Sequence, residues 1–485
     1  MAIKRFYAEQ DNTITNAFKP NLTTRATGSN MGASDILEVF SIYGQATTSS
    51  SELSRVLVQF NVNEIVDARN AGDIPAKGSV RFQLRMFNAP HQHTVPEDFN
   101  MVVAAISQSW EEGAGLDMDE YKEADTCNWI KSSGTTNWST AFASSIQGGS
   151  FHTGSQAVAP VVQFFKTGLE DLSVNVTDQV EEWMNSNTGN YGFGVFMTSS
   201  VEQRERSFYT KKFFGRGSEF FFKRPVLEAR WNDSKKDNRG NFVISSSLLS
   251  SADNLNQIYL YNIFRGQYKD IPNLVNDQMI VSLYRDSLTD GSPTSFTASK
   301  VETGIYSASV FLNTTASALF DVWTTGSQSV VGDGARGIQF HTGSIKASSH
   351  AALGYNPSDS HIINITNLKK VYEGDEKTRF RVYSRNKNWS PTAYTVASND
   401  IESQKIENLY YRVSREADDL VILDFSTGSF KYSLASYDTS GNYFDFDMGL
   451  LESGYSYVLS FLAEENGNKK QIKNTFRFRV EEPDE

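Results

Sequence analysis

Val80-Arg-Phe-Gln-Leu-Arg-Met-Phe87 alternates without a break, with Phe82, Leu84 and Met86 on one side and Arg81, Gln83 and Arg85 on the other. A period of two belongs to an extended strand, whose side chains point in turn to the two faces of a sheet. The pattern predicts one face in an apolar core and one face wet. Comparable runs surround it. Ile36-Leu-Glu-Val-Phe-Ser-Ile-Tyr43, Ser54-Arg-Val-Leu-Val-Gln-Phe60 and Met101-Val-Val-Ala-Ala-Ile106 read as strands, and turn clusters such as Thr27-Gly-Ser-Asn-Met-Gly32 separate them. Two helical pieces interrupt the series. Asn63–Arg69 predicts one or two turns capped by Asn63. Thr177-Asp-Gln-Val-Glu-Glu-Trp-Met-Asn185 predicts a short helix near 178–186, with Thr177 as N-cap and Val180, Trp183 and Met184 on one face.

Composition agrees with strands. Aromatic residues make up 13% of the chain while hydrophobic residues total only 39%, which suits thin cores between sheets. The net charge of −12 argues against a duplex-binding surface, which carries basic excess. Cys127 is the single cysteine, so an internal disulfide is excluded and a semi-buried thiol is expected. No run approaches the ~18 apolar residues of a membrane span. The opening Met-Ala-Ile-Lys-Arg-Phe-Tyr lacks the apolar stretch of a signal peptide. Synthesis in the cytoplasm and no membrane partner are therefore expected.

Further along, Asn232–Gly240 is polar and turn-prone and reads as a solvated linker. Residues 241–347 hold a second set of short strands, among them Met279–Tyr284, Ile305–Phe311 and Leu319–Trp323. After a junction at 348–362, a last set runs to about 480. There Tyr455–Leu462 is expected to face Thr475–Val480 across the turn Glu464-Glu-Asn-Gly-Asn468. The reading is an all-β chain of three β-sandwich domains in series. A jelly-roll-like sandwich over 1–232 precedes two Ig-like sandwiches over 241–347 and 360–485.

The long aperiodic stretch Glu111–Ser155 holds the candidate chemistry. Loops of that length in compact domains are functional or internally packed. Glu111, Glu112, Asp117, Asp119 and Glu120 form the densest acidic cluster. A solvated or capping loop is the first reading, a Ca²⁺ or interface loop built on Glu111, Glu112, Asp117 and Asp119 the second, and a glycosidase-like carboxylate pair the third. Trp110, Trp129 and Trp138, with Tyr191, could stack on sugar rings or close the end of a sandwich, the second use being commoner. His91-Gln-His93 could offer two imidazoles on one strand face, but no further ligand motif accompanies it, and a turn after Phe87-Asn-Ala-Pro90 is the favoured reading. Lys211, Lys212 and Arg216 flank aromatic residues, a weak nucleic-acid signal. Gly332-Asp-Gly-Ala-Arg-Gly337 lacks the Lys-Ser/Thr ending of a phosphate loop.

An ordered set of segments carries a resemblance. Asp11-Asn-Thr-Ile14, Ser54–Phe60 and Trp110-Glu-Glu-Gly-Ala-Gly115 come in order, followed by Trp129, Trp138, Gly148-Gly149, Val176–Trp183, Asn190-Tyr-Gly-Phe-Gly194 and Arg224-Pro-Val-Leu-Glu-Ala229. About residues 10–232 resemble the DNRLRE-type sandwich domain of bacterial and phage surface proteins. The Asn70–Pro75 insertion and Phe213–Phe222 depart from that pattern. The last module, through Phe380–Arg385, Asn388–Pro391, Asp438–Asp445 and Gly454–Leu459, is similar to Ig-like domains of tailed-phage virion proteins. The resemblance implies a non-enzymatic structural component of the tail, neck, collar or baseplate, working through contacts with other virion proteins in multiple symmetric copies. It transfers no catalytic residue and no cofactor, Ca²⁺ being the one candidate ion. A carbohydrate-binding or adhesion protein recognising a cell-surface glycan is the alternative, and a capsid-decoration or fibre-attachment protein comes after it. A depolymerase would more often show repeats of ~20–50 residues, and none is visible.

Overall fold

The structure is a computed structural model. It describes the chain apart from residues 1, 44–50, 93, 118–120, 122, 124, 140–147, 153–157, 205, 290, 317, 326–338, 349–360, 389–391, 394–402, 466 and 484–485. The chain is all-β, with several β-sandwich domains, and it divides into two compact units, Ala2–Asn232 and Asp233–Glu485. Among the described residues no helix is long and apolar enough to cross a membrane.

The first unit opens with β1 (Ile3–Thr15), β2 (Ile36–Tyr43), β3 (Ser51–Phe60) and helix α1 (Val62–Asn70). β4 (Val80–Met86) and β5 (Phe99–Ala105) follow. The hairpin β6 (Lys131–Ser133) and β7 (Thr136–Asn137) lies within the long excursion. β8 (Val161–Phe165), β9 (Leu172–Asn175), α2 (Thr177–Met184), β10 (Phe193–Met197), α3 (Ser199–Glu202), β11 (Phe208–Phe214) and β12 (Val226–Trp231) complete it. The main path runs β8-β5-β10-β3-β1-β12-β4-β9, with β2 paired to β3 and β11 to β2. β1 serves both layers. Ile3–Tyr7 pair with β12 and Ala8–Thr15 with β3, and the register breaks between Ala8 and Gln10. A bulge at that point bends a strand and lets one sheet roll into two layers. The two ends of the path are bridged by one side chain: Gln163 on β8 donates to Asp171 O (2.8 Å) and accepts from Ser173 N (2.7 Å).

Phe82, Leu84 and Met86 point into the core, beside Val56, Val58, Phe60, Met101, Val103, Trp183, Phe193 and Val195. The opposite face of β4 is not wet. Gln83 and Arg85 are only 6% and 8% exposed. Arg85, Arg5 and Arg230 fold over the fully buried Glu228 of β12, Arg5 at 3.0 Å and Arg85 at 3.3 Å. Alternation locates the faces of a strand; it does not show that long polar side chains bury one another through their ionic heads and alkyl stems.

Both helices occur, with different caps from those expected. Asn61, not Asn63, caps α1, its side chain accepting from Asn63 N. α2 begins at Thr177 without a side-chain cap. The Thr177 hydroxyl instead accepts from Phe82 N (2.9 Å) and donates to Asn175 Oδ1 (2.6 Å). Glu181 on α2 takes a bidentate pair from Arg69 on α1, at 2.6 and 2.9 Å.

The second unit holds a six-stranded antiparallel sheet built on Asn256–Tyr261, Gln278–Arg285, Thr294–Glu302, Ile305–Val310, Leu319–Thr324 and Gln339–Ile345. Trp323, Tyr306 and Phe242 lie in its core. The last module packs a four-stranded sheet around Lys377–Asn386 and Gly441–Asp447 against a six-stranded one around Leu409–Arg415 and Ser456–Glu465. Its centre is aromatic, with Tyr411 and Phe444 stacked at 4.1 Å. Ser456–Glu465 pairs with Phe476–Glu481 as expected, and also with Asn468–Gln471, a strand inside the segment read as connection. Residues 233–240 are no solvated linker. Asp237 is buried, Tyr437 N donates to Lys235 O while Tyr437 O accepts from Asp237 N (both 3.0 Å), and Arg239 reaches Asp321 at 2.6 Å. Polar composition marked the segment as solvent-loving, but its charges are consumed in a seam within this unit.

Candidate functional site

The excursion between β5 and β8 packs on the outer face of β3, β5 and β10. That face carries Leu57, Ala104 and Phe196, so it needs an apolar cover. Trp110, Trp129, Trp138, Cys127 and Phe151 supply it. None of the three tryptophans is more than 5% exposed. The indole N–H groups of Trp110 and Trp138 are spent on backbone carbonyls, Tyr191 O and Asn128 O, each at 2.8 Å. As for Trp129, its ring packs against Gly148, where a Cβ would come within 2.6 Å and φ is +98°. Only glycine accepts both constraints without strain. These rings close a second core and offer no free face for a sugar, which corrects the stacking reading. Cys127 is fully buried, and burial pushes its thiol pKa well up; such a thiol is inert.

Two buried asparagines pin the acidic loop. Asn30 Nδ2 donates to Glu112 O (2.6 Å) and Cys127 O (2.7 Å), and its Oδ1 accepts from Gly115 N (2.9 Å). Asn12 Nδ2 donates to the same two carbonyls. Glu112 is held by Arg216 through both carboxylate oxygens (3.1 and 2.7 Å) and accepts from Asp11 N (2.8 Å). Asp11 lies beside this pair. Burial pushes its carboxyl up to about 7, the Glu112 charge adds to the rise, and the Arg216 backbone N–H and side chain oppose it. The remaining acids do not converge on this pair. Glu111 is exposed, Asp117 accepts from Tyr121 N (3.0 Å), and Asp119 and Glu120 lie outside the described residues. Among the described residues no group of three or more His, Cys, Asp or Glu could hold a metal ion. His91 is half-buried and His93 lies outside the described residues.

Beside the tryptophan cluster opens a cleft of about 780 Å³, lined by Arg25, Arg55, Trp129, His152, Phe196 and Glu202 among others. Arg55 is its centre. It pairs with Glu202 through two bonds (3.1 and 2.7 Å), donates to Gly148 O (2.6 Å), and lies over the rings of Trp129 and Phe196 at 5.2 and 5.3 Å. In the sequence Arg55 reads only as part of the strand Ser54–Phe60. The available signal was an arginine at an otherwise apolar outward position beside Leu53 and Leu57. Chemically the region offers hydrogen bonds and aromatic contact at its rim; the ionised side chains at its centre, Arg55 with Glu202 and Arg216 with Glu112, are neutralised in pairs.

No protein-family model and no curated protein matches the chain. A solved DUF4785 family protein from Legionella pneumophila aligns over 98% of this chain and 96% of its own, at 8% identity and a TM-score of 0.15. A likeness at that score supports neither a fold nor a function.

Proposed function

We propose that the protein is a structural component of a tailed-phage particle, of its tail, neck or baseplate, acting through assembly contacts. The observation that carries an assembly role is the hairpin Ile263-Phe264-Arg265-Gly266-Gln267-Tyr268. Ile263 and Phe264 are 57% and 52% exposed. Ile263 pairs with Tyr268 and Phe264 with Gln267, so consecutive apolar side chains point to opposite faces of a two-stranded ribbon. A finger that is apolar on both faces gains most from a socket enclosing both. Arg265 and Lys269 lie over the Phe264 ring at 5.2 and 5.4 Å, which suits a socket with an acidic rim. The phage setting rests on the resemblance of the first and last modules. Mass spectrometry of the purified particle is expected to find this chain at a fixed copy number; its absence overturns the reading. A glycan-recognition role is the second reading, favoured by the polar side chains Arg25 and His152 that line the cleft rather than by the tryptophans. A glycan array comparing the native chain with Arg25→Ala tests it, and no bound glycan sinks it.

A further inference from the structure

Lys211 is one of the largest fully buried side chains of the protein. Its ammonium makes two hydrogen bonds, to Asn88 Oδ1 at 2.5 Å and to Gly168 O at 2.8 Å. Phe165 and Phe213 close around it, with ring centres 5.2 and 5.3 Å away. Lysine is almost never buried without a carboxylate partner. The ion pairs of the described residues include none for Lys211, and Asp171 and Glu170 act on it only at a distance. The approach is built by backbone. Asn88 bridges to Phe213 of β11, Ala89 N donates to Lys212 O (3.0 Å), and Phe214 N donates to Phe87 O (3.1 Å). Lys211 and Phe213 share a strand face, so Lys211 is the diagonal neighbour of Asn88, within reach of a long side chain. Asn88 N donates to Asp171 Oδ1 at 2.8 Å, which brings a carboxylate to the same corner. Gly168 has φ +73°, and a Cβ there would meet Pro96 O, so the turn that caps the lysine is fixed too.

We propose that Lys211 and Asn88 join in an intramolecular isopeptide bond. The free amine of Lys211 adds to Cγ of Asn88, forming the Nζ–Cγ bond. The Cγ–Nδ2 bond then breaks. One proton passes from Nζ to Nδ2 by way of the Asp171 carboxylate, and Nδ2 leaves as ammonia. An amine and a primary carboxamide become a secondary amide and ammonia, with no oxidant and no cofactor. The surroundings favour each part. Burial lowers the lysine pKa to about 8, against the opposing pull of Asp171 and Glu170, so the nucleophilic free amine is accessible near neutral pH. The aromatic walls exclude the water that would compete for the carboxamide. Elsewhere, Lys236 contacts Asn408 at 3.3 Å and Glu407 at 3.7 Å, but its side chain is 27% exposed, and no bond is expected there. The Lys211–Asn88 bond spans 123 residues of sequence. It would lock β11 covalently onto the segment that leaves β4, which it already meets through backbone bonds.

The test is the intact mass of the full-length chain under denaturing conditions, corrected for any loss of the initiator Met. The expected mass is one ammonia below that of the sequence, with a branched peptide joining the segments around Asn88 and Lys211 after proteolysis. The full sequence mass in the native protein overturns the proposal, as does an ammonia loss that maps to any other residue. Lys211→Arg and Asn88→Ala are each expected to restore the full mass, and the readout does not depend on whether they fold. An ammonia loss that persists in Lys211→Arg overturns the assignment. Asp171→Asn is expected to leave most molecules unbonded; complete bonding in that variant removes Asp171 as the proton carrier.

Discussion

At the scale of single residues, buried charge decides where the first unit is strong and where it is vulnerable. Glu228 is shared by three arginines at once, and Arg85, Arg230 and Arg5 together hold its carboxyl far below the usual range despite complete burial. Glu228→Gln removes the one carboxylate that three guanidinium groups share in a buried place, so a loss of about 3–5 kcal/mol is expected in urea denaturation. Because the folded pKa is depressed, this contribution is intact above the unfolded value of ~4.3 and fades only as pH falls through strongly acidic values. Asp11 has the opposite sign. Its carboxyl titrates at about 7 in the folded chain and near ~3.9 when unfolded, so folding takes up a proton between those values. Stability should fall as pH rises from about 4 to about 7 and then level off. Asp11→Asn should flatten that slope in a series of melting temperatures against pH; an unchanged slope would assign it to another group. Neither residue could be picked out in the sequence. Glu228 is separated from Arg5 and Arg85 by most of the first unit, and an acid flanked by alternating polar residues reads as a solvated face.

Secondary-structure elements were far more legible than their ends. The period of two placed β4 and its core face, and the i, i+3, i+4 spacing placed Val180 and Trp183 against the core on α2. The cap of α1 was missed by two residues along the same polar run, whereas the cap of α2 was lost to a partner distant in sequence. Thr177 serves Phe82 N rather than its own helix. The tryptophan-rich excursion gave the same signal for two uses, since a stacking platform and a lid over an apolar sheet both need aromatic residues in a loop. What decides between them is Asn30 and Asn12, which draw the carbonyls of Glu112 and Cys127 down onto β1. Asn30→Ala takes the acceptor from Gly32 N and Gly115 N in a buried place and leaves the two carbonyls to Asn12 alone. A cost of about 2 kcal/mol or more follows from the usual penalty for unsatisfied buried groups. Limited proteolysis should then cut first between 111 and 127, whereas an unchanged cleavage pattern would mean that the tryptophans alone hold the lid.

At the scale of the whole molecule, the sequence signalled three sandwiches through strand runs and turn clusters, while its polar segment 232–240 concealed how the last two are joined. Arg239 contacts Asp321 at 2.6 Å and Asp237 at 2.9 Å, and Asp321 also accepts from Trp323 Nε1 at 2.7 Å. On the other side, Asn238 reaches the Tyr437 hydroxyl at 2.9 Å. The two modules of the second unit are therefore joined through this segment, beside a contact between the Tyr261 and Tyr443 hydroxyls at 3.3 Å. Arg239→Ala leaves Asp321 buried and unpaired, and calorimetry should show the Phe242–Ser348 module melting earlier and apart from its neighbour; a single unshifted transition would show this joint to be redundant. The hairpin calls for the converse behaviour. Ile263 and Phe264 contribute little to the fold because they are exposed, so Ile263→Ser with Phe264→Ser should change stability by no more than about 0.5 kcal/mol. If the finger fills a socket, the same pair removes the apolar anchor that dominates such contacts, where single anchors contribute about 2 kcal/mol or more. Complementation of a particle lacking this chain should then fail with the double variant while its melting temperature stays put. Full incorporation of the double variant would show that assembly does not use this hairpin, and the edges of the sandwiches would have to carry it.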